Sequence, residues 1–417
     1  MNRTSSPTPP GLILLRGLAF LGLAAIIYRF WVGIGAVANL SDGYPWGLWV
    51  AIDILAGVAL AAGGFVVAGL VYIFGGKQFA GLARPAVLTA FLGYLMFVLG
   101  LVVDMGRPWH MFYIFIGNHQ SPLYEIGWCA FLYTLVLALE LLPPVFERFS
   151  MDRAYKIWQR TSPWLVVALL SLFTWAMTFS LAWTLAVASI LLGWELMMEI
   201  GVMGRKGQTP VLLIAAGVML SFLHQSSLGS LYLMTPHTLN PLWHSPILPV
   251  LFLVSAIVAG IAMIILESLA VESILGHKTP LEPLFALAYK IPILLIVYAA
   301  LKIGDILLRG QGGILLTPHV PAAMWWVEMS LGVFLPLALY VAPGLISKRA
   351  GLAVVSVLVV AGLVVNRVNV AIVGVEVQRW HTYYPSFFEI FITLGILSMG
   401  LLAYTWATSQ LPIHDQE

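Results

Sequence analysis

Charged residues are scarce in this chain of 417 residues. Asp, Glu, Lys and Arg make up only 9% of it, whereas soluble domains average about 25%. Hydrophobic residues make up 61%, and the net charge of +2 does not suggest a nucleic-acid partner. Twenty basic and eighteen acidic residues are too few to cover a soluble globule of this size. The composition therefore predicts a polytopic α-helical membrane protein without a soluble domain of any size.

Cysteine is almost absent, because Cys129 is the single thiol. One cysteine excludes an intrachain disulfide, a four-cysteine iron–sulfur cluster and covalent c-type haem within this chain. A transmembrane b-type haem needs two buried histidines on facing helices, and only His224 lies clearly in the middle of an apolar run. The sequence therefore predicts that the chain carries no haem and no iron–sulfur cluster of its own. The nine histidines are His110, His119, His224, His237, His244, His277, His319, His381 and His414.

Long apolar runs are abundant, and a membrane-spanning helix needs about 20 such residues. No small-residue cleavage site follows the first run, so we interpret it as a retained span. Segment 163–203 is too long for one span and long enough for two, with a tight turn near Trp183 and Thr184. Ten further runs are clear candidates: 16–38, 47–74, 84–106, 121–142, 210–234, 246–274, 283–309, 321–345, 350–374 and 386–408.

The basic residues between the spans predict the orientation, because cytoplasmic loops collect Lys and Arg. With the N-terminus inside, only Arg107, Arg309 and Arg379 face outward, provided that 163–203 crosses an even number of times. We therefore expect twelve spans with both termini cytoplasmic; ten spans with a re-entrant or interfacial 163–203 are the alternative. Segment 143–162 is expected to lie along the inner interface as an amphipathic helix. The inner residues are Arg3, Arg16, Lys77, Arg84, Arg148, Arg153, Lys156, Arg160, Arg205, Lys206, Lys278, Lys348 and Arg349.

Ionisable side chains within the apolar runs are costly in a bilayer and usually functional. Asp53 lies about two helical turns below the predicted outer surface, and His224 lies near mid-membrane. Asp104 ends the third run and Glu125 opens the fourth. His224 also begins the polar run 224–230, which contains Gln225 and three serines. These residues are the strongest candidates for a site, although helix packing would also explain the serines and the glycine.

Other charged residues near the predicted outer ends have simpler interpretations. Asp104 and Arg107 are expected to pair or to cap helix ends, and Glu389 is expected at the start of a helix. Asp305 can form an ion pair with either Lys302 or Arg309, both of which lie on its own helix. Glu328 also lies near an outer end.

The predicted outer segments are rich in aromatic residues, His and Pro and poor in charge. They are 104–124, 235–249, 310–323 and 376–386. A belt of aromatic residues at the membrane surface explains part of this pattern. Surfaces of this composition also suit a docked partner protein.

Several of these segments resemble the NrfD/PsrC superfamily of quinone-interacting membrane subunits. The resemblance is strongest to its ten-span branch, with HybB, QrcD, HmcC and DsrP, whose pattern lacks segment 163–203. It covers residues 40–250 well and the remainder more weakly. The matching segments are Gly43-Tyr44-Pro45-Trp46-Gly47-Leu48-Trp49 with Asp53, Arg84-Pro85-Ala86, Asp104-x-Gly106-Arg107, Leu123-Tyr124-Glu125, Phe146-Glu147-Arg148, His224-Gln225-Ser226-Ser227-Leu228-Gly229-Ser230 and Pro241-Leu242-Trp243-x-Ser245.

The resemblance implies a single integral membrane domain over 1–417 with 10–12 transmembrane helices, arranged as two four-helix bundles plus peripheral helices. We expect core bundles over about 40–345, an extra hairpin at 163–203 and additional helices over 350–408. The implied function is a menaquinone-binding subunit of a respiratory redox complex in a bacterial or archaeal inner membrane. A ferredoxin-like iron–sulfur subunit would dock outside and connect to a hydrogenase, multihaem cytochrome c or molybdopterin subunit. A secondary transporter and a passive membrane anchor are the alternatives.

The site predictions follow from this function. Asp53, Asp104, Glu125 and His224 are expected to transfer protons near the quinone, with Arg107 beside Asp104. Proton uptake through the inner half would make turnover electrogenic, although pairing at the inner interface explains the same residues. The expected quinone-binding residues are Trp46, Asp53, Asp104, Arg107, Glu125, His224, Gln225 and Ser227. The expected inner proton path comprises Glu140, Glu195, Glu199, Glu267 and Lys290.

Overall fold

Twelve helices among the described residues are long and apolar enough to cross a membrane. The computed structural model describes residues 10–200, 211–234, 238–275, 280–342, 344–375 and 383–413. The predicted all-α polytopic fold and the predicted helix count are confirmed. The helices are α1 (Gly11–Val32), α2 (Trp49–Ile73), α3 (Lys77–Asp104), α4 (Pro122–Arg148), α5 (Asp152–Thr178), α6 (Leu181–Glu199), α7 (Val211–Met234), α8 (Leu248–Glu272), α9 (Leu281–Leu308), α10 (Val320–Val341), α11 (Arg349–Val373) and α12 (Phe387–Gln410).

The described part of segment 163–203, residues 163–200, forms parts of two helices joined by a tight turn. Phe179 ends α5 with a positive φ of 47°, and Ser180 caps α6 by accepting the N–H of Trp183 at 3.5 Å. The turn thus precedes the predicted position at Trp183 and Thr184, because the serine cap starts the second helix earlier. No residue of α6 is buried, and α6 packs against α5, so this hairpin lies at the edge of the protein.

The interface helix predicted for 143–162 does not form as one element. The structure divides this segment between the last turns of α4 and the first turns of α5. The break falls at Ser150, whose φ is 52°. After the break, helix-forming residues continue from Asp152 into the apolar run, so the helix extends directly into the span.

The two ends of the helix bundle are recognised from contacts between span ends. At one end, Arg29 near the end of α1 donates to the carbonyls of Val103 and Met105 at the end of α3. At the other end, Arg84 pairs with Glu147 at 2.6 Å and joins α3 to α4. We call the end with Arg29 the long-loop end and the end with Arg84 the short-loop end. The long-loop end has the connections α1–α2, α3–α4, α7–α8, α9–α10 and α11–α12.

Glycine permits the closest helix contacts. A Cβ on Gly22 of α1 would lie 2.4 Å from the Cα of Gly395 in α12, and a Cβ on Gly362 of α11 would lie 2.1 Å from the Cα of Gly332 in α10. Small residues at such crossings let backbones approach and gain packing energy within a bilayer. The predicted division into two four-helix bundles stays a prediction.

Three spans contain wide π-helical turns. They occur at Trp49–Ala56 and Gly69–Ile73 in α2, at Ser330–Phe334 in α10 and at Asn369–Val373 in α11. Such turns are rare in proteins and frequently accompany functional sites. The first contains Asp53, and the last two follow directly on buried charged residues discussed below.

Some residues used in the sequence analysis lie outside the described residues. They comprise part of the charge pattern, four histidines and the end of the hairpin segment. They are Arg3, Arg205, Lys206, Lys278, Arg379, His237, His277, His381, His414 and residues 201–203.

Candidate quinone site

His224 lies fully buried in α7 against two aromatic rings of α3. The ring of Tyr94 packs edge-on at 5.4 Å between centroids, and that of Phe97 at 5.5 Å. Neither ring nitrogen of His224 has a hydrogen-bond partner in the part of the chain that the structure describes. Buried polar groups are normally paired, so this imidazole has capacity for a bound molecule or water.

The residues after His224 connect α7 to two further helices. Gln225 donates to the carbonyl of Val58 in α2 at 2.8 Å. Ser227 donates to the Glu125 carboxylate in α4, also at 2.8 Å. The structure therefore groups four predicted site residues, His224, Gln225, Ser227 and Glu125, between α2, α3, α4 and α7.

A polar seam continues from His224 between α4 and α7 towards the short-loop end. Tyr94 packs edge-on against Tyr133 of α4 at 4.6 Å, and Ser221 of α7 lies beside both hydroxyls. The carboxylate of Glu140 lies two turns further along α4, at 3.2 Å from the position of a Cβ on Gly217. Sequence reasoning missed both tyrosines, although Tyr133 precedes Glu140 by seven residues and so shares its helix face.

A second group of polar residues surrounds Asp104, which is half-buried at the end of α3. The buried guanidinium of Arg29 lies beside it, so that their charges interact, and Oδ1 of Asp104 has no described partner. Arg107 is exposed, so Arg29 rather than Arg107 is the cation whose charge acts on Asp104. A place for Arg107 at the mouth of the site stays a prediction. Arg29 stands within an apolar run, and this position was the sequence signal for its role.

Asp53 belongs to the Asp104 group rather than to the His224 group. It accepts a hydrogen bond from Thr393 of α12 at 2.7 Å, while its Oδ1 has no described partner. Its side chain packs against Gly100, one turn before Asp104, and the charges of the two carboxylates interact. The predicted acids therefore divide between two neighbouring clusters.

Glu389 is the third acid of the Asp104 group, and its predicted place at a helix start is confirmed. It forms a reciprocal capping box with Ser386 at the beginning of α12. It also accepts hydrogen bonds from the N–H of Asn39 at 3.1 Å and from the Tyr383 hydroxyl. Burial raises the pKa of Tyr383, which keeps its hydroxyl protonated as a donor.

Tyr232 and Trp46 lie where the two groups approach each other. Their rings pack edge-on at 4.9 Å. Tyr232 is buried, its hydroxyl has no described partner, and the charge of Asp104 acts on it. Trp46 is only half-buried and precedes α2 at the long-loop end. The aromatic pair thus marks an approach from that end to the unpaired polar atoms.

The predicted inner proton path is brought together only in part. Glu140 lies on the seam, whereas Glu267 accepts a hydrogen bond from Thr89 on another face of α3. Glu195 and Glu199 belong to the peripheral α6, and Lys290 is exposed within α9, at the interruption between Ala288 and Ile291. The structure does not bring these three residues together with Glu140, because hydropathy indicates the depth of a residue in a span and not the direction in which its side chain faces.

The structure shows which cation pairs with Asp305, and it also shows a buried ion pair that the sequence did not indicate. Asp305 pairs with Arg309 at 2.6 Å rather than with Lys302. Lys302 instead forms a buried ion pair with Glu328 of α10.

Of the histidines in the described ranges, only His224 lies within a span. The described residues therefore do not supply the facing pair of buried histidines that a transmembrane b-type haem needs.

Comparison with known proteins agrees with this architecture. The family of polysulphide reductase, NrfD, matches residues 36–377. A protein of Nitratidesulfovibrio vulgaris is 34% identical over 99% of this chain and 96% of its own length. The probable Ni/Fe-hydrogenase 2 b-type cytochrome subunit of Escherichia coli is 28% identical over 95% and 90%.

A third relative is the menaquinone reductase, integral membrane subunit, of Nitratidesulfovibrio vulgaris. It is 24% identical over 92% of this chain and 87% of its own. The family match extends across most of the chain and includes α2–α11, which contain the His224 group and, of the Asp104 group, Asp53 and Asp104. This chain belongs to the NrfD family of multi-pass membrane proteins.

Proposed function

We propose that this chain binds menaquinone and exchanges electrons between the quinone pool and an iron–sulfur subunit docked at the long-loop end. The observation that carries the proposal is the fully buried imidazole of His224, neither nitrogen of which has a partner in the described residues. Unpaired oxygens of Asp53 and Asp104 lie towards the long-loop end, where the aromatic pair Trp46 and Tyr232 packs near Asp104. The similarity to two relatives, a probable hydrogenase b-type cytochrome subunit and a menaquinone reductase membrane subunit, supports it.

The chemistry requires proton transfer beside the quinone, since its reduction takes up two protons with two electrons. His224 is suited to this role, because an imidazole both donates and accepts protons near neutral pH. Asp53 and Asp104 each keep one unpaired oxygen, which is available to a quinone oxygen or to water. Electrons pass through the iron–sulfur clusters of the partner subunit, so this chain needs no cluster of its own.

Protons reach His224 along the seam of Glu140, Tyr133 and Tyr94. These side chains come from α4 and α3 and follow one another beside α7 from the short-loop end. With both termini cytoplasmic in an inner membrane, this route takes protons from the cytoplasm to a quinone near the outer face. Turnover by this route is electrogenic.

The docking surface that we propose for the partner is the segment Pro108–Phe115 between α3 and α4. Trp109 is 66% exposed, and Phe112 and Tyr113 are also exposed. The segment follows Asp104 directly, so a partner seated on it lies next to the proposed quinone site. Exposed aromatic residues of this kind are typical of protein interfaces.

The test is binding of a fluorescent hydroxyquinoline N-oxide, a quinone-site inhibitor, to the purified complex. We expect saturable binding that a menaquinone analogue displaces and that His224→Ala abolishes. His244→Ala is the matched control, because His244 is half-buried at the long-loop end away from the seam, and it should bind as the wild type does.

Two results would contradict the proposal. One is the absence of competed binding by the correctly assembled wild-type complex. The other is full binding and full quinone turnover in His224→Ala. Uptake of a solute by the chain alone would instead indicate a transporter.

A further inference from the structure

A second polar centre lies among α8–α11, apart from the groups described above. Lys302 of α9 and Glu328 of α10 form an ion pair, and they are 3% and 2% exposed. The Glu328 carboxylate also accepts hydrogen bonds from Asn366 at 2.9 Å, Asn369 at 3.0 Å and the Trp243 indole at 3.1 Å. Both of its oxygens are therefore engaged.

A second cation stands beside this ion pair. Arg367 is 1% exposed, and its guanidinium lies 3.7 Å from the ring centroid of Phe252. It donates to neutral groups, the side chains of Asn366 and Ser255 and the carbonyl of Phe252. Its Nε has no partner in the described ranges. The centre thus holds two buried cations and one buried carboxylate.

Two cavities adjoin the ion pair. One of about 30 Å³ is lined by Glu328, Ser255 and the glycines at the α10–α11 crossing. The other, of about 10 Å³, is lined by Lys302, Asp305 and Trp243. Each cavity has polar side chains on one side, and its volume is comparable to the space that a water molecule requires. Glu328 therefore faces one water-sized space and Lys302 the other.

The local backbone also distinguishes this centre. The π-helical turn Ser330–Phe334 follows Glu328 by one turn, and Asn369–Val373 follows Arg367. Two rare turns that frequently accompany functional sites thus lie on the helices that supply the charges.

A purely structural ion pair explains these features less well. Removing charges from water usually costs more than pairing returns, and apolar side chains of similar volume would hold the helices at least as firmly. Within a membrane, buried ionisable groups commonly mark proton or ion pathways. Two cations beside one carboxylate, the unpaired Nε of Arg367 and the two adjoining cavities are consistent with a proton pathway.

We propose that Glu328 and Lys302 form a second proton-transfer centre, which moves protons across the membrane during quinone turnover. Glu328 takes a proton from the cavity that it lines, Lys302 releases one into the other, and transfer from Glu328 to Lys302 restores the ion pair. One proton crosses per cycle without any other change. Arg367 and Tyr298 face the pair and stay protonated throughout.

Tyr232 connects this centre to the quinone site, on whose function the proposal rests. The charges of both Asp104 and Arg367 act on Tyr232, so it lies between the two regions. It also packs against Phe252, the ring beneath Arg367, at 6.4 Å. Through Tyr232, a change of charge beside Asp104 affects the electrostatic environment of Arg367, the cation next to the ion pair.

The experiment uses the complete complex in liposomes and measures electron transfer to a menaquinone analogue together with the membrane potential. Glu328→Gln is expected to lower the potential generated per transferred electron to the part that the seam route supplies, while electron transfer continues. Glu272→Gln is the matched control, because Glu272 pairs with Arg349 on neighbouring spans outside the centre. The control should retain both activities.

The results separate the two proposals. A wild type that does not exchange electrons with quinone defeats the proposed function. A wild type that turns over without a potential contradicts both the seam route and the second centre. A Glu328→Gln variant that keeps the full wild-type potential per transferred electron overturns the second centre alone.

An infrared measurement covers the case in which Glu328→Gln does not assemble. The redox-induced difference spectrum should contain a protonated carboxyl band that shifts in Glu328→Asp and not in Glu272→Asp. A carboxylate that serves only as a structural partner gives no such band.

Discussion

The Asp104 group and the Lys302–Glu328 centre balance their charges in opposite ways. The first has three acids, Asp53, Asp104 and Glu389, around one cation, whereas the second has one acid between two cations. Asp53 and Asp104 each keep an unpaired oxygen near the long-loop end, but Glu328 uses both of its oxygens. An acid with free acceptor capacity can receive a substrate, and one that is enclosed by donors can exchange little more than a proton.

The largest effect on stability is expected in the enclosed centre. Glu328→Ala leaves Lys302 and Arg367 buried without a counter-charge, which typically costs about 3–5 kcal/mol in the free energy of unfolding. Asp53→Ala removes one hydrogen bond with Thr393 and should cost about 1 kcal/mol. Thermal unfolding in detergent, followed by tryptophan fluorescence, measures both.

A double variant distinguishes the loss of pairing from a loss of packing. Glu328→Leu with Lys302→Met removes the pair together and should be less destabilised than Glu328→Ala alone. If the double variant loses as much free energy of unfolding as Glu328→Ala, or more, the shape of these side chains matters for stability and their charges do not.

The next effect is on turnover, in the open group. Asp104→Asn should leave stability near wild type but slow quinone turnover about 100-fold, as expected for loss of a proton-transferring side chain. Asp42→Asn is the control, because Asp42 is exposed in the connection between α1 and α2. Steady-state assays of the complex test this difference. A slowed Asp42→Asn variant, or an unchanged Asp104→Asn variant, would remove the distinction between the two regions.

Hydropathy and local spacing determined what could be predicted about the fold. The apolar runs and loop charges led to twelve helices, because length and charge asymmetry are properties of the chain in one dimension. The pairing of Asp305 with Arg309 follows the same logic, since residues four apart share a helix face. The turn at Phe179 was misplaced because the long apolar stretch has no internal break except the Ser180 cap.

The partners across helices could not be predicted in this way. Arg29 takes the place expected for Arg107 although it precedes Asp104 by 75 residues. Glu328 was noticed as a charged residue in a span, but hydropathy gives no rotation about the helix axis, so its partner Lys302 was not identified. The motif around His224 indicated a site, whereas Tyr94 and Tyr133 became visible only through packing.

The smallest effect concerns the helix contact that supports the open group. Arg29 reaches the end of α3 from α1, and α1 is held against α12 by the crossing of Gly22 and Gly395. Gly22→Ala places a methyl group against the Cα of Gly395 and should destabilise the protein by about 1–3 kcal/mol, as overpacked sites do. Gly17→Ala is the control, because a Cβ there meets no atom within 4 Å.

This substitution also tests how the two regions depend on each other. If α1 moves away from α12, Arg29 is displaced from Asp104, and quinone turnover should fall in Gly22→Ala more than in Gly17→Ala. The ion pair of Lys302 and Glu328 lies on other helices, so the membrane potential generated per electron should stay unchanged in both variants. A variant that loses potential in proportion to stability would show instead that the enclosed centre depends on the packing of α1, and the two regions would then have to be treated as one unit.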